Sequence, residues 1–254
     1  MRIVIITQNE PFYLAKNLER LINNLPGHSK IVACVVNEVS PFGKKETFLE
    51  KIKKTYNVFG FRFFIHYGFK FLKSKIDSSK KVHKVLSNNN IPVICLSKNI
   101  NHKDSVDLIK EYQPDLLVSI LGNQIFKKQI FDLAPKGCLN LHTALLPKYR
   151  GLMPTFWVLK NEEKYTGVSV FFVDEGIDSG PILIQEKVKI GKMTQEELIK
   201  QTKKIGMDCI IKAVNLIQAN NIKLIENSSK EKSYYSFPTK SDVKIFKSKG
   251  KKFF

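Results

Sequence analysis

Short β-branched runs alternate with helical patterns up to His142, and that alternation leaves the chain few architectures. Ile3-Val4-Ile5-Ile6 is an unbroken β-branched run, the pattern of a strand covered on both faces. Leu14, Leu18, Leu21, Ile22 and Leu25 then recur at helical spacing, and Pro26-Gly27 ends the pattern. Ile31–Val36, Ile91–Leu96, Asp115–Leu121 and Cys138–His142 read as four more strands, with a helix over Ser105–Tyr112. Strands separated by helices predict an α/β fold, with a doubly wound, mostly parallel sheet carrying helices on both faces. Right-handed crossovers place the strand C-termini, and any site, along one edge.

The pattern changes after residue 165. Gly167–Val173 and Pro181–Val188 read as strands joined by a loop rich in Asp, Glu and Gly. A long helix is expected over Thr194–Ile217, opened by a Thr194/Glu197 capping box. Its apolar stripe holds Leu198, Ile199, Thr202, Ile205, Cys209, Ile210, Leu216 and Ile217. Some three dozen residues follow, with a helix-like Ser241–Lys247 and a basic end. No repeat or linker divides the chain, so one domain with a short C-terminal appendage is expected.

Apolar residues make up 43% of the chain and charged residues 26%, which excludes disorder as the main state. No apolar run reaches the ~18 residues of a membrane span. Met1–Gln8 has only a short apolar run before polar residues and Pro11, too little for a signal-peptide core, and a cytoplasmic chain is expected. The four cysteines (Cys34, Cys95, Cys138 and Cys209) form no CxxC pair, and three of them sit in strand-like apolar runs. No metal site is expected.

The net charge of +19, from 42 basic and 23 acidic residues, suits an anionic partner. Only Arg2, Arg20, Arg62 and Arg150 are arginines, so the bidentate fork that reads bases is scarce, and no DNA partner is expected. Phe59–Ile76 is an aromatic, basic insertion between two strands. Phe61, Phe64, Ile65, Phe69, Leu72 and Ile76 fall at helical spacing, with Phe63, Tyr67 and Phe71 off that stripe. A basic amphipathic helix of this kind can lie on a membrane surface. Its position between sheet strands favours a crossover helix packing its aromatics on the sheet, so membrane contact is not expected.

Gly137–Gly180 carries the chemistry. Asn140 and His142 share one face of a strand, at its C-terminal end. Leu145-Leu146-Pro147 then forces an extended loop, and Gly151 permits a tight turn. Asp178, between the two later strands, can reach the same edge. An Asn amide can donate to an oxygen gaining negative charge, His can carry a proton near neutral pH, and a carboxylate can hold the imidazole. No serine or cysteine is placed as a nucleophile, and no GxSxG, P-loop, HExxH or GxGxxG occurs. The implied chemistry is direct attack by a substrate nucleophile on a bound carbonyl.

The block Asn140–Gly151 together with Asp178 resembles the folate-dependent formyltransferases, the family acting on methionyl-tRNA, glycinamide ribonucleotide and nucleotide sugars. The resemblance runs clearly from Asp115 to Ile190 and extends to Met1–Leu25. It implies a Rossmann-like sheet, a catalytic domain over residues 1–190, and residues 191–254 as a long helix and basic tail packed on that domain. It also implies 10-formyltetrahydrofolate as co-substrate and an acceptor amine attacking the formyl carbon to give a tetrahedral intermediate. By the match, Asn140 and His142 stabilise its oxygen, and Asp178 pairs with His142 and assists proton removal. The folate is expected against Gly122, Asn123, Gln124 and Phe126, with Leu146, Asp174 and Gly176 closing the other side.

The acceptor is read from the other half of the site. Family members acting on glycinamide ribonucleotide carry a Gly-rich phosphate loop after the first strand. Here Thr7–Phe12 holds Glu10 and no glycine, which argues against a phosphate cradle. The segment after Ile217 is too short for the barrel that methionyl-tRNA enzymes append, although residues 191–254 hold 14 basic and 6 acidic residues. Met153-Pro154-Thr155-Phe156-Trp157 resembles the sugar-modifying branch. The expected acceptor is the amine of a nucleotide sugar. Methionyl-tRNA formylation is the alternative, and an inactive basic binding module of the same fold is a third reading. A homodimer is compatible with the sequence.

Overall fold

The computed structural model describes residues 1–39 and 46–254. β1 (Arg2–Gln8) distributes its buried residues between two layers. Ile3 and Ile5 pack with Leu14, Leu18 and Leu21 of α1 (Leu14–Asn24) on one face. Val4 and Ile6 pack with Ile100, Ile109 and Phe126 on the other. Strict alternation in one strand thus supplies both halves of the core.

Around it the sheet has seven strands in the order β3-β2-β1-β4-β5-β7-β8. They are β2 (Lys30–Asn37), β3 (Val93–Ile94), β4 (Leu116–Ile120), β5 (Cys138–His142), β7 (Tyr165–Phe172) and β8 (Ile182–Lys189). Strands β3, β2, β1, β4 and β5 are parallel, and β7 turns antiparallel to β5 and β8. The expected fold class is therefore the observed one. The strand over Ile91–Leu96 pairs only at Val93 and Ile94, since Pro92 has no N–H for the ladder. Cys95, just beyond, is exposed instead of lying in a strand.

Helices α4 (Val82–Asn88), α5 (Lys103–Lys110) and α6 (Lys128–Phe131) complete the crossovers of this first half. α8 (Gln195–Gln218) closes the α1 face: Leu198, Thr202, Cys209, Ile210 and Ile217 of its stripe are buried. The Thr194 Oγ1 accepts the Glu197 N–H, and the Glu197 carboxylate accepts the Thr194 N–H at 2.8 Å, completing the capping box.

A second, largely aromatic cluster forms around α7 (Pro154–Lys160) and α9 (Lys240–Ser248), where Phe156, Trp157, Phe246, Phe253 and Phe59 are buried. The short strand β9 (Tyr234–Tyr235) pairs in parallel with β6 (Arg150–Gly151). Tyr235 stacks between Tyr149 and Trp157, at 5.2 and 4.7 Å, so these tail aromatics dock the appendage onto the body.

The insertion differs from expectation. It forms α3 (Phe61–Ile76), and a further helix, α2 (Phe48–Phe59), precedes it, opened by a Thr47/Glu50 capping box legible in the sequence but not read there. The expected stripe of α3 does not pack on the sheet: Phe61, Ile65, Phe69, Leu72 and Ile76 are exposed. The off-stripe residues turn inward, with Phe63 stacked on Phe59 at 4.4 Å and Tyr67 stacked on Phe63 at 4.4 Å. The cause is a set of stronger ties on the inner face. Glu196, in the first turn of α8, accepts from Lys70 at 2.9 Å, Lys200 at 2.7 Å and His66 at 3.2 Å. Burial alone would raise the Glu196 carboxyl, but the hydrogen bonds from Lys200, Lys70 and His66 outweigh it and hold the group at about 2.

A carboxyl depressed on folding stabilises the fold fully above its usual value of 4.5 and loses that contribution as pH falls toward about 2. Glu196→Gln should therefore lower Tm at pH 7, and the gap to the wild type should close between about pH 4.5 and pH 2. Thermal unfolding across that range measures it, and a gap independent of pH would refute the role given to the three cations.

Candidate active site

Because β1, β4 and β5 are parallel, their C-terminal ends lie side by side, and a cavity of about 630 Å³ opens there. That volume is typical of small-molecule sites. Gln8 comes from the end of β1, Leu121 and Gly122 follow β4, and Asn140 and His142 close β5.

Asn140 and His142 point from one face of β5, while Leu139 and Leu141 pack on the α8 side. The His142 ring is buried and spans two oxygens. Its Nε2 donates to the Tyr149 carbonyl at 2.7 Å, and its Nδ1 lies 3.6 Å from the Asp178 carboxylate. Both ring nitrogens thus face oxygen acceptors. The same Asp178 oxygen accepts the Gly151 N–H at 2.8 Å. Asn140 lines the cavity; its backbone belongs to the sheet, and its side-chain amide makes no protein hydrogen bond among the described residues.

The backbone is bent to build this arrangement. Tyr149, Met153 and Asp178 all have left-handed φ values, 60°, 53° and 49°. Such conformations cost about 1 kcal/mol or more each in a non-glycine residue and persist where surrounding contacts impose them. Here those contacts come from the appendage. Asn227 donates to the Asp178 and Gly180 carbonyls at 3.0 and 2.9 Å, and its side-chain oxygen accepts from buried Arg150 at 2.9 Å. Ser233 accepts the Tyr149 N–H at 2.8 Å. Gly151, at φ 95°, sits where any Cβ would run into the Tyr235 carbonyl oxygen. Sequence reasoning missed Asn227 and Ser233, since a polar stretch after a helix carries no local sign of what it touches.

Of the residues expected to hold a folate, Gly122, Asn123, Gln124, Phe126, Asp174 and Gly176 line the cavity. Leu146 does not: it is buried against Phe171 and Ile182, with its N–H on Ser169 and its carbonyl on Gln185. The Leu-Leu-Pro loop thus supplies packing beneath the site. A Cβ at Gly122 would lie 2.5 Å from the Ser119 hydroxyl and force it to turn, so with glycine here this wall presents backbone to the cavity.

The far end of the cavity is aromatic and cationic. Phe12, Tyr13, Phe63, Tyr67 and Lys203 line it. Lys70 donates to the Tyr13 hydroxyl at 2.9 Å, and Lys203 lies 3.5 Å from Glu10. Burial pushes the Tyr13 hydroxyl far up, so it stays protonated. Glu10 caps α1 itself, its carboxylate accepting the Phe12, Tyr13 and Leu14 N–H groups at 3.0, 2.9 and 2.9 Å. The anion position at this helix N-terminus is filled from within the chain.

Comparison with known proteins agrees with this geometry. The Formyl transferase family profile matches residues 1–214. A methionyl-tRNA formyltransferase of Kosmotoga olearia is 36% identical over 163 residues, covering 64% of this chain and 52% of that protein. The chain thus spans about half the length of that curated relative. A phosphoribosylglycinamide formyltransferase from Anaplasma phagocytophilum superposes with a TM-score of 0.63 at 18% identity, covering 94% of this chain and 99% of that one. An N-formyltransferase from Helicobacter canadensis, in complex with folinic acid and dTDP-3-aminofucose, gives 0.57 at 19% identity, covering 92% and 70%. With a sheet edge, a cavity and a family match that all fall on the same residues, the chain belongs to the formyl transferase family.

Proposed function

We propose that the protein transfers a formyl group from 10-formyltetrahydrofolate to an amine, through Asn140, His142 and Asp178. The observation that carries the reading is the meeting of these three polar groups at the wall of one cavity. The folate supplies an activated formyl carbon. The backbone wall at Gly122–Gln124, with Phe126 behind it and Asp174 and Gly176 opposite, is where its ring would lie.

Asn140, with its amide uncommitted to protein, donates to the formyl oxygen as that oxygen gains negative charge. His142, held between Tyr149 and Asp178, presents its imidazole beside the same oxygen. Asp178 orients the imidazole, and its carboxylate takes up the proton that the amine sheds on attack; as the tetrahedral intermediate collapses, the bond from the formyl carbon to N10 breaks and that proton passes to N10, so tetrahydrofolate leaves. Low solvent access at His142 and Asp178, with side chains 7% and 12% exposed, strengthens each of these interactions.

The acceptor enters from the aromatic end. Glu10 occupies the phosphate position at α1, which disfavours an acceptor phosphate there. Tyr13, Tyr67 and Phe63, with Lys70 and Lys203 beside them, suit the base and diphosphate of a nucleotide carrying an amino sugar. Methionyl-tRNA is the second reading, favoured by the name of the 36% identical relative. Residues 219–254 form β9 and α9, docked on the body.

His142→Ala should reduce kcat/KM on the order of 10²–10⁴-fold while folate affinity stays nearly unchanged. Asp178→Asn should retain the left-handed turn yet lose on the order of 10²-fold in kcat. Steady-state kinetics with calorimetric folate titration checks both, and wild-type turnover in either variant would refute the mechanism. Offered amino-sugar nucleotides and methionyl-tRNA in parallel with the formyl donor, the enzyme should prefer the sugars; a faster rate on tRNA would select the second reading.

A further inference from the structure

The exposed face of α3 is the largest apolar feature left unexplained by the fold. Phe61, Ile65, Phe69, Leu72 and Ile76 are 64%, 38%, 70%, 60% and 87% exposed. At 100° per residue they fall within an arc of roughly 80°, along a helix about 24 Å long. A contiguous apolar stripe of this kind marks a contact surface more often than chance exposure. The helix cannot roll to bury it, because Lys70 and His66 are tied to Glu196, and Phe63 and Tyr67 are stacked on the opposite side.

Charge identifies what covers the stripe. Arg62 and Lys73 flank one edge of the arc and Lys75 the other, and α3 contains no acidic residue. Among the described residues none of the three cations is held in an ion pair. Lys75 lies over the Phe71 ring at 5.0 Å. Downstream, Lys80 pairs with Asp77 at 3.3 Å, and Lys81 and Lys84 add further positive charge. Aromatic and aliphatic side chains in the centre, with cations along both margins, are the arrangement of a helix lying in a bilayer interface. Two copies pairing through this stripe would bring their basic margins together, which disfavours self-association.

We propose that α3 is a peripheral membrane anchor that seats its apolar arc among the lipids of an anionic bilayer, with Arg62, Lys73 and Lys75 at the headgroups. Neither element alone suffices: one weak apolar insertion needs a second, electrostatic attraction. The helix lies along the surface and does not span, and among the described residues no helix is long and apolar enough to cross a membrane. This proposal goes beyond the catalytic reading and stands independently of it.

The test is sedimentation of the full chain with vesicles of phosphatidylglycerol and phosphatidylcholine, against vesicles of phosphatidylcholine alone. The wild type should bind the anionic vesicles at least about tenfold more tightly than the neutral ones. Phe69→Ser/Leu72→Ser should weaken binding roughly tenfold or more without changing Tm, since both side chains lie outside the core. Lys73→Gln/Lys75→Gln should weaken it about fivefold per charge and flatten the salt dependence. Absence of vesicle binding, or binding unaffected by the Ser pair, would overturn the proposal. So would a wild-type dimer by light scattering that the Ser pair dissociates, which would assign the stripe to a second copy.

Discussion

The Asp178 carboxylate is the point at which otherwise distant segments of the chain are fastened. One of its oxygens accepts the Gly151 N–H and faces His142, so the β7–β8 loop, the end of β5 and the turn at β6 share a single, largely covered carboxylate. A carboxylate so placed is costly unless its partners are fixed. The surrounding backbone takes unfavourable conformations, at Tyr149, Met153 and Asp178 itself. The rest of the molecule serves this junction: parallel strands align the edge, the aromatic cluster fixes α7, and the appendage braces the loop from behind.

Much of this was legible in the sequence wherever one residue type has one physical use. Ile3–Ile6 has no stable place except inside a sheet, and Cys138–His142 is bounded as read. Thr194 with Glu197 marks a helix start because each side chain accepts the other residue's backbone N–H. The polar residues at 140, 142 and 178 could be placed on a common edge by strand parity and topology alone. What failed were questions of competition. On α3 two apolar faces were available, and the choice was made by Glu196 on a remote helix, drawing in Lys70 and His66. Leu146, expected at the site through the resemblance of its loop, packs in a small cluster with Phe171 and Ile182.

The acceptor end shows how one side chain can set the character of a site. A helix N-terminus attracts anions by its free N–H groups and its dipole. Glu10 meets three of those N–H groups at once, so the start of α1 is neutralised by the chain's own charge. Lys203 then faces Glu10, and Lys70 faces Tyr13, leaving a surface of rings and partly compensated cations.

Asn227, Ser233 and β9 all lie beyond residue 214, where the match to the family ends. A fragment trimmed to that limit would keep Asn140, His142 and Asp178 in its sequence and lose what bends the chain around them. In this protein the last forty residues act as a splint. The family match stops short of the segments that shape this site, and anyone recombining the domain with another would have to carry Asn227, Ser233 and β9 along.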